Sequence, residues 1–432
     1  TTLSAGTLKA GSATAFGTGA ISVISGAALD LNGQSMSSTG GLTLRGTGIS
    51  SGGAMLNSSA TGATYAGLVT LGASSSIVGG TGSVALSNTG TITGSTYDLT
   101  LGGAAGGSVA SIIGITSSTL IKQGAGTWTL TGVNTYNGGT SIASGTLLIG
   151  GAGSLGSGTY AGAITNNSVF QYASTATQTL SGSISGTGML IKEGSSALTL
   201  SGSNIYSGGT NINGGSLLLN SSSALGSTGT ISFGGGTLQF SGINLNDYSS
   251  RFSSAAGQQY LLNTNGQNVT LASALTSANG SLTKLGTGKL TLSGANTYSG
   301  ATSLNGGTLS LGSAGAIGST GAISFGGGTL QFSASNTTDY SSRFSTAASQ
   351  LYSLDTNGQN VTLASDLTSV GASLTKLGLG TLTLSGADTY SGNTTISTGT
   401  LKAGSATAFG TGTISVTSGA VLDLNGQTMT ST

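Results

Sequence analysis

The feature of this chain that most constrains its fold is that it repeats itself at more than one length. Residues 394–432 match residues 1–39 at 32 of 39 positions, with an offset of 393 residues. Residues 189–280 and 281–372 align without gaps at an offset of 92 residues. Such self-similarity is typical of solenoids, in which each unit buries its apolar face against the next. We therefore interpret the chain as part of a longer tandem array with a period of 393 residues.

A shorter segment occurs four times, and each copy contains a lysine that is followed fourteen residues later by a tyrosine. The spacing within each pair is constant, whereas the copies lie 70, 92 and 92 residues apart. This pattern is expected when whole coils are added or lost while the cross-section of a solenoid stays constant. The signature pairs are Lys122 and Tyr136, Lys192 and Tyr206, Lys284 and Tyr298, and Lys376 and Tyr390.

The repeats also predict the domain organisation. We expect one continuous solenoid over residues 1–432, with weaker, degenerate repeats at 40–117. The predicted sub-repeats are 118–188, 189–280, 281–372 and 373–432.

The composition favours β-strands as the building elements. The chain has 80 glycines, no proline, 36% apolar residues, 4% charged residues and a net charge of +1. Disordered chains combine low hydrophobicity with high net charge, so a packed structure is expected. Glycine costs about 1 kcal/mol relative to alanine inside a helix, and serine, threonine and asparagine also disfavour helix.

The local pattern is strand, turn, strand. Residues 289–293 (KLTLS) alternate apolar and polar side chains, as in a half-buried strand. A turn rich in Gly, Asn and Ser follows at 294–300, and eight Asn-Gly dipeptides mark further corners. Antiparallel hairpins are an alternative, but the duplication of whole units favours stacking. The sequence therefore predicts an all-β fold, a β-solenoid with about 20 residues per coil and about 4.8 Å between stacked strands.

Two segments resemble a known family of repeats. Residues 281–309 (SLTKLGTGKLTLSGANTYSGATSLNGGTL) resemble the passenger-associated-transport repeat of bacterial autotransporters, and residues 352–363 (YSLDTNGQNVTL) resemble the stretch that often precedes it. The resemblance implies a right-handed parallel β-helix, export through the outer membrane of a Gram-negative bacterium, and a surface role such as adhesion or autoaggregation. Trp128 departs from the pattern, because leucine stands at the equivalent position in the other copies.

From these features we expect an extracellular fibre shaft on the bacterial cell surface, an elongated rod or filament that mediates attachment and biofilm-type assembly. One alternative is a passenger adhesin that binds a host ligand, and another is a β-helix enzyme that acts on polysaccharides. The expected partners are further copies of the chain, end to end or laterally, and neighbouring cells, surfaces or glycans. Ten Lys and Arg over 432 residues form no basic patch, so nucleic acid is not an expected partner. Membrane attachment is expected only through a part outside this sequence.

Catalytic motifs are few, and chance explains them. Gly48-Ile-Ser-Ser-Gly52 matches a nucleophile elbow, but the chain has no histidine to act as base. Gly151-Ala-Gly-Ser-Leu-Gly156 matches a dinucleotide fingerprint without the acid that should follow it. Asp366 and Asp388 are separated by roughly one coil and could stack as an acid and base pair, although Asp366 is alanine in the sister copy. With no Cys or His and no regular series of acids, we predict no enzyme, no cofactor and no metal site.

Two further sets of residues invite a functional interpretation. Asp247 and Arg251, and likewise Asp339 and Arg343, are spaced as i and i+4 in segments that are expected to leave the coil as a short helix or loop. The first interpretation is a surface ion pair, and the alternative is a lateral contact between chains. The signature tyrosines could stack on sugars, but three to five coils separate them, so we interpret them as packing residues beside each turn.

Overall fold

The computed structural model describes residues 1–37 and 40–430. Short parallel strands wind into a β-solenoid of about 20 turns with almost no helix. The predicted all-β solenoid is therefore confirmed. Residues 38–39 and 431–432, which end the two matching segments 1–39 and 394–432, lie outside the described residues.

The chain divides into two compact units, Thr1–Ile231 and Ser232–Thr432. The first unit contains two short 3-10 helices, Ile49–Ser51 and Gly156–Gly158. Its strands are β1 (Thr2–Leu3), β2 (Gly6–Lys9), β3 (Ile21–Val23), β4 (Ala27–Asp30), β5 (Ser35–Met36), β6 (Leu42–Gly46), β7 (Met55–Asn57), β8 (Ala63–Tyr65), β9 (Val69–Gly79), β10 (Val84–Leu86), β11 (Thr91–Thr93), β12 (Leu99–Gly102), β13 (Gly107–Val109), β14 (Ile112–Gly114), β15 (Leu120–Lys122), β16 (Thr127–Leu130), β17 (Thr140–Ile142), β18 (Thr146–Ile149), β19 (Thr159–Tyr160), β20 (Ile164–Asn166), β21 (Val169–Tyr172), β22 (Gln178–Leu180), β23 (Ile184–Ser185), β24 (Met189–Lys192), β25 (Ala197–Leu200), β26 (Thr210–Ile212) and β27 (Ser216–Leu219).

The second unit contains the 3-10 helices Ser249–Arg251 and Ser341–Arg343. Strand β28 (Ile231–Gln239) begins at the boundary between the units. The other strands are β29 (Gln259–Asn263), β30 (Val269–Leu271), β31 (Ser281–Leu285), β32 (Lys289–Leu292), β33 (Thr302–Leu304), β34 (Thr308–Leu311), β35 (Ile323–Phe325), β36 (Thr329–Gln331), β37 (Leu351–Asp355), β38 (Val361–Leu363), β39 (Ser373–Leu377), β40 (Thr381–Leu384), β41 (Thr394–Ile396), β42 (Thr400–Ala403), β43 (Ile414–Val416) and β44 (Val421–Asp423).

The strands pair in parallel with strands of neighbouring coils, and the register gives the length of each coil. Lys289 lies opposite Thr308, which closes a short coil, whereas Thr329 lies opposite Ser353, which closes a longer one. Coil length therefore varies around the predicted value, and the longer coils carry the 3-10 helices. Among the strands that the structure describes every pairing is parallel, so the hairpin alternative is wrong.

The core follows the alternation in the sequence. In β32, Leu290 and Leu292 are buried, while Lys289 and Thr291 face outward. Each buried leucine contributes roughly 1.5–3 kcal/mol to folding. Trp128 is also fully buried, and its indole Nε1–H donates to the carbonyl of Gly102 at 2.9 Å. Gly107 lies opposite Trp128 in the register. A Cβ at Gly107 would clash with the carbonyl oxygen of Val84 and would lie 2.9 Å from the indole ring, so the backbone and the indole together leave no room for a side chain there.

Candidate functional site

The four signature lysines lie inside the solenoid, with no exposed surface. The ammonium group of Lys284 donates hydrogen bonds to the carbonyls of Leu285 at 2.9 Å, Gly286 at 2.8 Å and Gly306 at 3.0 Å. The first two acceptors lie at the end of β31 and in the turn that follows it, and the third belongs to the next coil. The lysine therefore ties the corners of two successive coils together. Lys122, Lys192 and Lys376 make the equivalent set of three bonds.

Burial has an electrostatic consequence for these lysines. Desolvation lowers the pKa of Lys284 to about 8, and it lowers the pKa of the other three signature lysines to about 8 as well. The glycine at each neighbouring corner is part of the arrangement. Gly307 has a φ of +60°, and a Cβ there would lie 2.8 Å from the Nζ atom of Lys284.

The signature tyrosines are also fully buried. The hydroxyl group of Tyr298 lies 2.7 Å from the Oγ1 atom of Thr302, at the start of β33. Burial raises the pKa of Tyr298 to about 12. These rings are therefore not available to stack on a sugar at the surface. The same tyrosine–threonine pair forms between Tyr136 and Thr140, Tyr206 and Thr210, and Tyr390 and Thr394.

A third position of the site was not recognised from the sequence as part of the repeat signature. It lies two positions before the tyrosine, where three of the four copies have asparagine. The Oδ1 atom of Asn296 accepts a hydrogen bond from the backbone N–H of Leu275 at 2.7 Å, and its Nδ2 group donates to the carbonyl of Ala316 at 2.6 Å. One carboxamide thus bridges the coil before and the coil after. The recurrence of Asn-x-Tyr in GVNTY, GSNIY and GANTY is the sequence signal that could have located it.

The geometry agrees with the comparison to known families. The family model described as the passenger-associated-transport-repeat matches residues 120–149, 190–219, 282–311 and 374–403. The chain carries four passenger-associated-transport repeats. Each matched segment spans one lysine, one asparagine or aspartate, and one tyrosine of the site. No curated protein and no solved structure matches the chain.

Passenger-associated-transport repeats indicate an autotransporter passenger domain built as a β-helix. The family therefore implies a secreted or surface-exposed protein. Within residues 1–37 and 40–430, no helix is long and apolar enough to cross a membrane.

The two candidate catalytic acids lie in different environments. Asp388 belongs to the fourth passenger-associated-transport repeat and is only 2% exposed, and its Oδ1 atom accepts a hydrogen bond from the backbone N–H of Leu367 at 2.7 Å. Asp366 is exposed, and its Oδ1 atom accepts one from the backbone N–H of Ala387 at 2.6 Å. They do lie on neighbouring coils, but one faces the interior and the other faces solvent. They do not form an open pair into which a glycan could bind.

The two aspartate–arginine pairs that the sequence singled out lie between the repeats, at the 3-10 helices. The carboxylate of Asp339 accepts hydrogen bonds from the backbone N–H of Ser341 and of Ala364, each at 2.8 Å. The Nε–H of Arg343 donates to the carbonyl of Gly321 at 3.0 Å, and its guanidinium lies over the ring of Tyr340. Asp339 therefore joins the 3-10 helix to the next coil, whereas Arg343 bonds to the preceding coil.

The sister segment makes the same carboxylate contacts. Asp247 accepts hydrogen bonds from the backbone N–H of Ser249 and of Ala272, each at 2.8 Å. The guanidinium of Arg251 lies over the ring of Tyr248, with 5.7 Å between the guanidinium carbon and the ring centre. Both aspartates are exposed. A lateral contact through Asp247, Arg251, Asp339 and Arg343 stays a prediction.

The remaining motifs lie in turns. Ser50 of the elbow-like motif is exposed in the short 3-10 helix Ile49–Ser51, with a φ of +49°. The fingerprint-like segment 151–156 is a turn that leads into the 3-10 helix Gly156–Gly158 rather than a helix that could hold a phosphate. In the part of the chain that the structure describes, no group of three or more acids could hold a metal ion.

Proposed function

We propose that this chain forms the shaft of an extracellular fibre on a Gram-negative bacterium, and that the fibre mediates attachment between cells or to surfaces. The proposal rests on where the repeated polar residues lie and on what they bond to. The lysine, the asparagine and the tyrosine of the passenger-associated-transport repeats are buried and bond to neighbouring groups within the stack of coils. A repeat whose polar side chains hold the coils together supports a structural role.

We also propose that the chain is not an enzyme. Asp388 is buried, and the signature tyrosines offer no exposed ring. Incubation of the chain with a panel of bacterial and host polysaccharides should release no fragments. Release of fragments by the natural chain, and its loss in the double variant Asp366→Asn and Asp388→Asn, would contradict this part of the proposal.

The experiment for the fibre is electron cryomicroscopy of filaments sheared from cells that make the natural protein. A tandem fibre should show a coil spacing of about 4.8 Å and an axial period of roughly 80 to 100 Å, because one period of the tandem array corresponds to about 20 coils. Single short stalks without a long-range period would contradict the fibre and favour a passenger adhesin that binds a host ligand.

A further inference from the structure

In each repeat, the residue two positions before the signature tyrosine connects neighbouring coils. In one of the four repeats its side chain differs from the others in a single atom. Asn134, Asn204 and Asn296 each accept a hydrogen bond from a backbone N–H of the preceding coil and donate one to a backbone carbonyl of the following coil. In the fourth repeat the residue is Asp388. An ionised carboxylate keeps the acceptor but has no donor.

The structure shows where the donor is lacking. The Oδ1 atom of Asp388 accepts the hydrogen bond of the Leu367 N–H at 2.7 Å, just as the Oδ1 atom of Asn296 accepts that of Leu275 at 2.7 Å. The Oδ2 atom of Asp388 is buried and has no hydrogen-bond partner among the described residues. In the repeat alignment, this atom takes the place of the Nδ2 group that donates to the carbonyl of Ala316.

The residue equivalent to Ala316 is Ala408, which is fully buried in the following coil. Two oxygen acceptors cannot bond to each other, whereas a protonated carboxyl group has one O–H to donate. We propose that Asp388 is a proton-operated latch between coils. When it is protonated it makes the bridge that asparagine makes elsewhere, and when it is ionised the bridge opens and the coil that contains Ala408 loosens.

The groups that face Asp388 agree with a proton as the missing partner. Burial raises the pKa of Asp388 to about 7; the hydrogen bond from Leu367 opposes the rise, and the nearby charge of Asp366 adds to it. The other titratable groups around it are the hydroxyls of Tyr352 and Tyr390, whose pKa values are raised by burial, so both stay neutral in this range.

The direction of the effect follows from proton linkage. An opened coil exposes Asp388 to water, where an aspartate has a pKa of about 4. Between about pH 4 and about pH 7 the closed coil therefore binds more protons than the opened one, and the latch weakens as the pH rises. Above about pH 7 the weakening is complete and levels off.

The test is hydrogen exchange measured by mass spectrometry on the whole chain between pH 5 and pH 8, corrected for intrinsic exchange. The natural chain is compared with the variant Asp388→Asn. The ratio of their opening constants in the peptide around Ala408 should rise roughly tenfold per pH unit up to about pH 7 and then level off. A ratio that does not change with pH would overturn the proposal.

A second variant transfers the latch. Asn296→Asp should introduce the same pH dependence one repeat upstream, in the peptide around Ala316, and leave the peptide around Ala408 unchanged. Folding of this variant is checked at pH 5, where the new carboxyl group is expected to be protonated. Absence of any new pH dependence in the folded variant would contradict the mechanism.

A third measurement separates a proton from a metal ion. Calcium is added at pH 8 to the natural chain and to Asp388→Asn. The latch predicts no change in exchange around Ala408 in either chain. Protection by calcium in the natural chain alone would mean that a cation, and not a proton, bridges Asp388 and the next coil, and would overturn the proposal.

Discussion

At the scale of single residues, the polar side chains of the repeats act as connections between coils. Lys284 bonds to three carbonyls in two coils, and Asn296 bonds to the coil on either side. Buried polar groups are tolerated only when they are hydrogen-bonded, and a buried charge needs several partners. These residues therefore fix which coil stacks on which, in addition to filling space.

Removal of one lysine should destabilise the coils that it joins. In Lys284→Met the carbonyls of Leu285, Gly286 and Gly306 lose their shared donor, and we expect a loss of roughly 2 kcal/mol in the free energy of unfolding, since an unsatisfied buried acceptor costs about 1–3 kcal/mol. Urea unfolding measures this. Lys289→Met is the control, because Lys289 faces outward, and it should change stability by less than about 0.5 kcal/mol. Equal losses in both variants would contradict the bridging role.

The same lysines predict how stability depends on pH. Their pKa in the folded chain is about 8, below the value of about 10.4 in an unfolded chain. The unfolded chain therefore binds more protons between these values, and stability should rise with pH from about 8 toward about 10. Above about pH 10 it should fall, because burial raises the pKa of Tyr298 to about 12 and tyrosines in the unfolded chain ionise first.

The measurement is the urea midpoint at pH 7, 8, 9, 10 and 11. Lys284→Met removes one of four equivalent groups, so the rise between pH 8 and pH 10 should shrink by about a quarter. A midpoint that falls steadily from pH 7 would contradict the lowered pKa of the lysines.

At the scale of elements, the corners decide where one strand ends and the next begins. Asn265 and Gly266 both adopt positive φ values of 50° and 81°, as the Asn-Gly dipeptide predicts. At Asn305-Gly306 the left-handed residue is instead Gly307, with a φ of 60°. An Asn-Gly pair thus marks a corner correctly, but the contacts between coils decide which residue turns it.

A matched pair of glycines separates backbone conformation from close packing. Gly307 and Gly257 both have positive φ values, but a Cβ at Gly307 would clash with the carbonyl oxygen of Gly288, whereas a Cβ at Gly257 meets no atom within 4 Å. We expect Gly257→Ala to cost about 1 kcal/mol for the left-handed conformation alone. Gly307→Ala should cost at least about twice as much, measured by urea unfolding. Similar costs in the two variants would mean that the coils are not packed this closely.

At the scale of the whole molecule, backbone pairing and apolar burial dominate over charge. Charged residues make up 4% of the chain and the net charge is +1. The ion pair between Lys9 and Asp30 has a separation of 3.9 Å, and Lys9 is largely exposed. Such a surface pair contributes little to stability. With so few charged side chains, ion pairs contribute little to holding the coils of either unit together.

Self-association should for this reason be nearly independent of salt. A chain with a net charge close to zero has little repulsion to keep copies apart. We expect the purified chain to associate with rising concentration, and to the same extent in about 50 mM and in about 500 mM sodium chloride, measured by sedimentation velocity. A stable monomer at high concentration, or dispersal of the assemblies by salt, would contradict the expectation.

The sequence by itself determined the fold class and the positions of the repeats. The alternation of leucine with threonine or serine, the glycine-rich corners and the constant lysine–tyrosine spacing predict stacked parallel coils, because strand periodicity and repetition are local properties of a chain. The predicted inward direction of Leu290 and Leu292 is confirmed for the same reason.

The tertiary structure alone decided what the polar residues do. The sequence marked Lys284 without placing it, missed Asn296, and paired Asp366 with Asp388, although only Asp388 is buried. These outcomes depend on the length of each coil, which varies along the chain, and so on which residues of neighbouring coils come into contact. At corners, where the side chains do not alternate, no local pattern specifies which of them face inward.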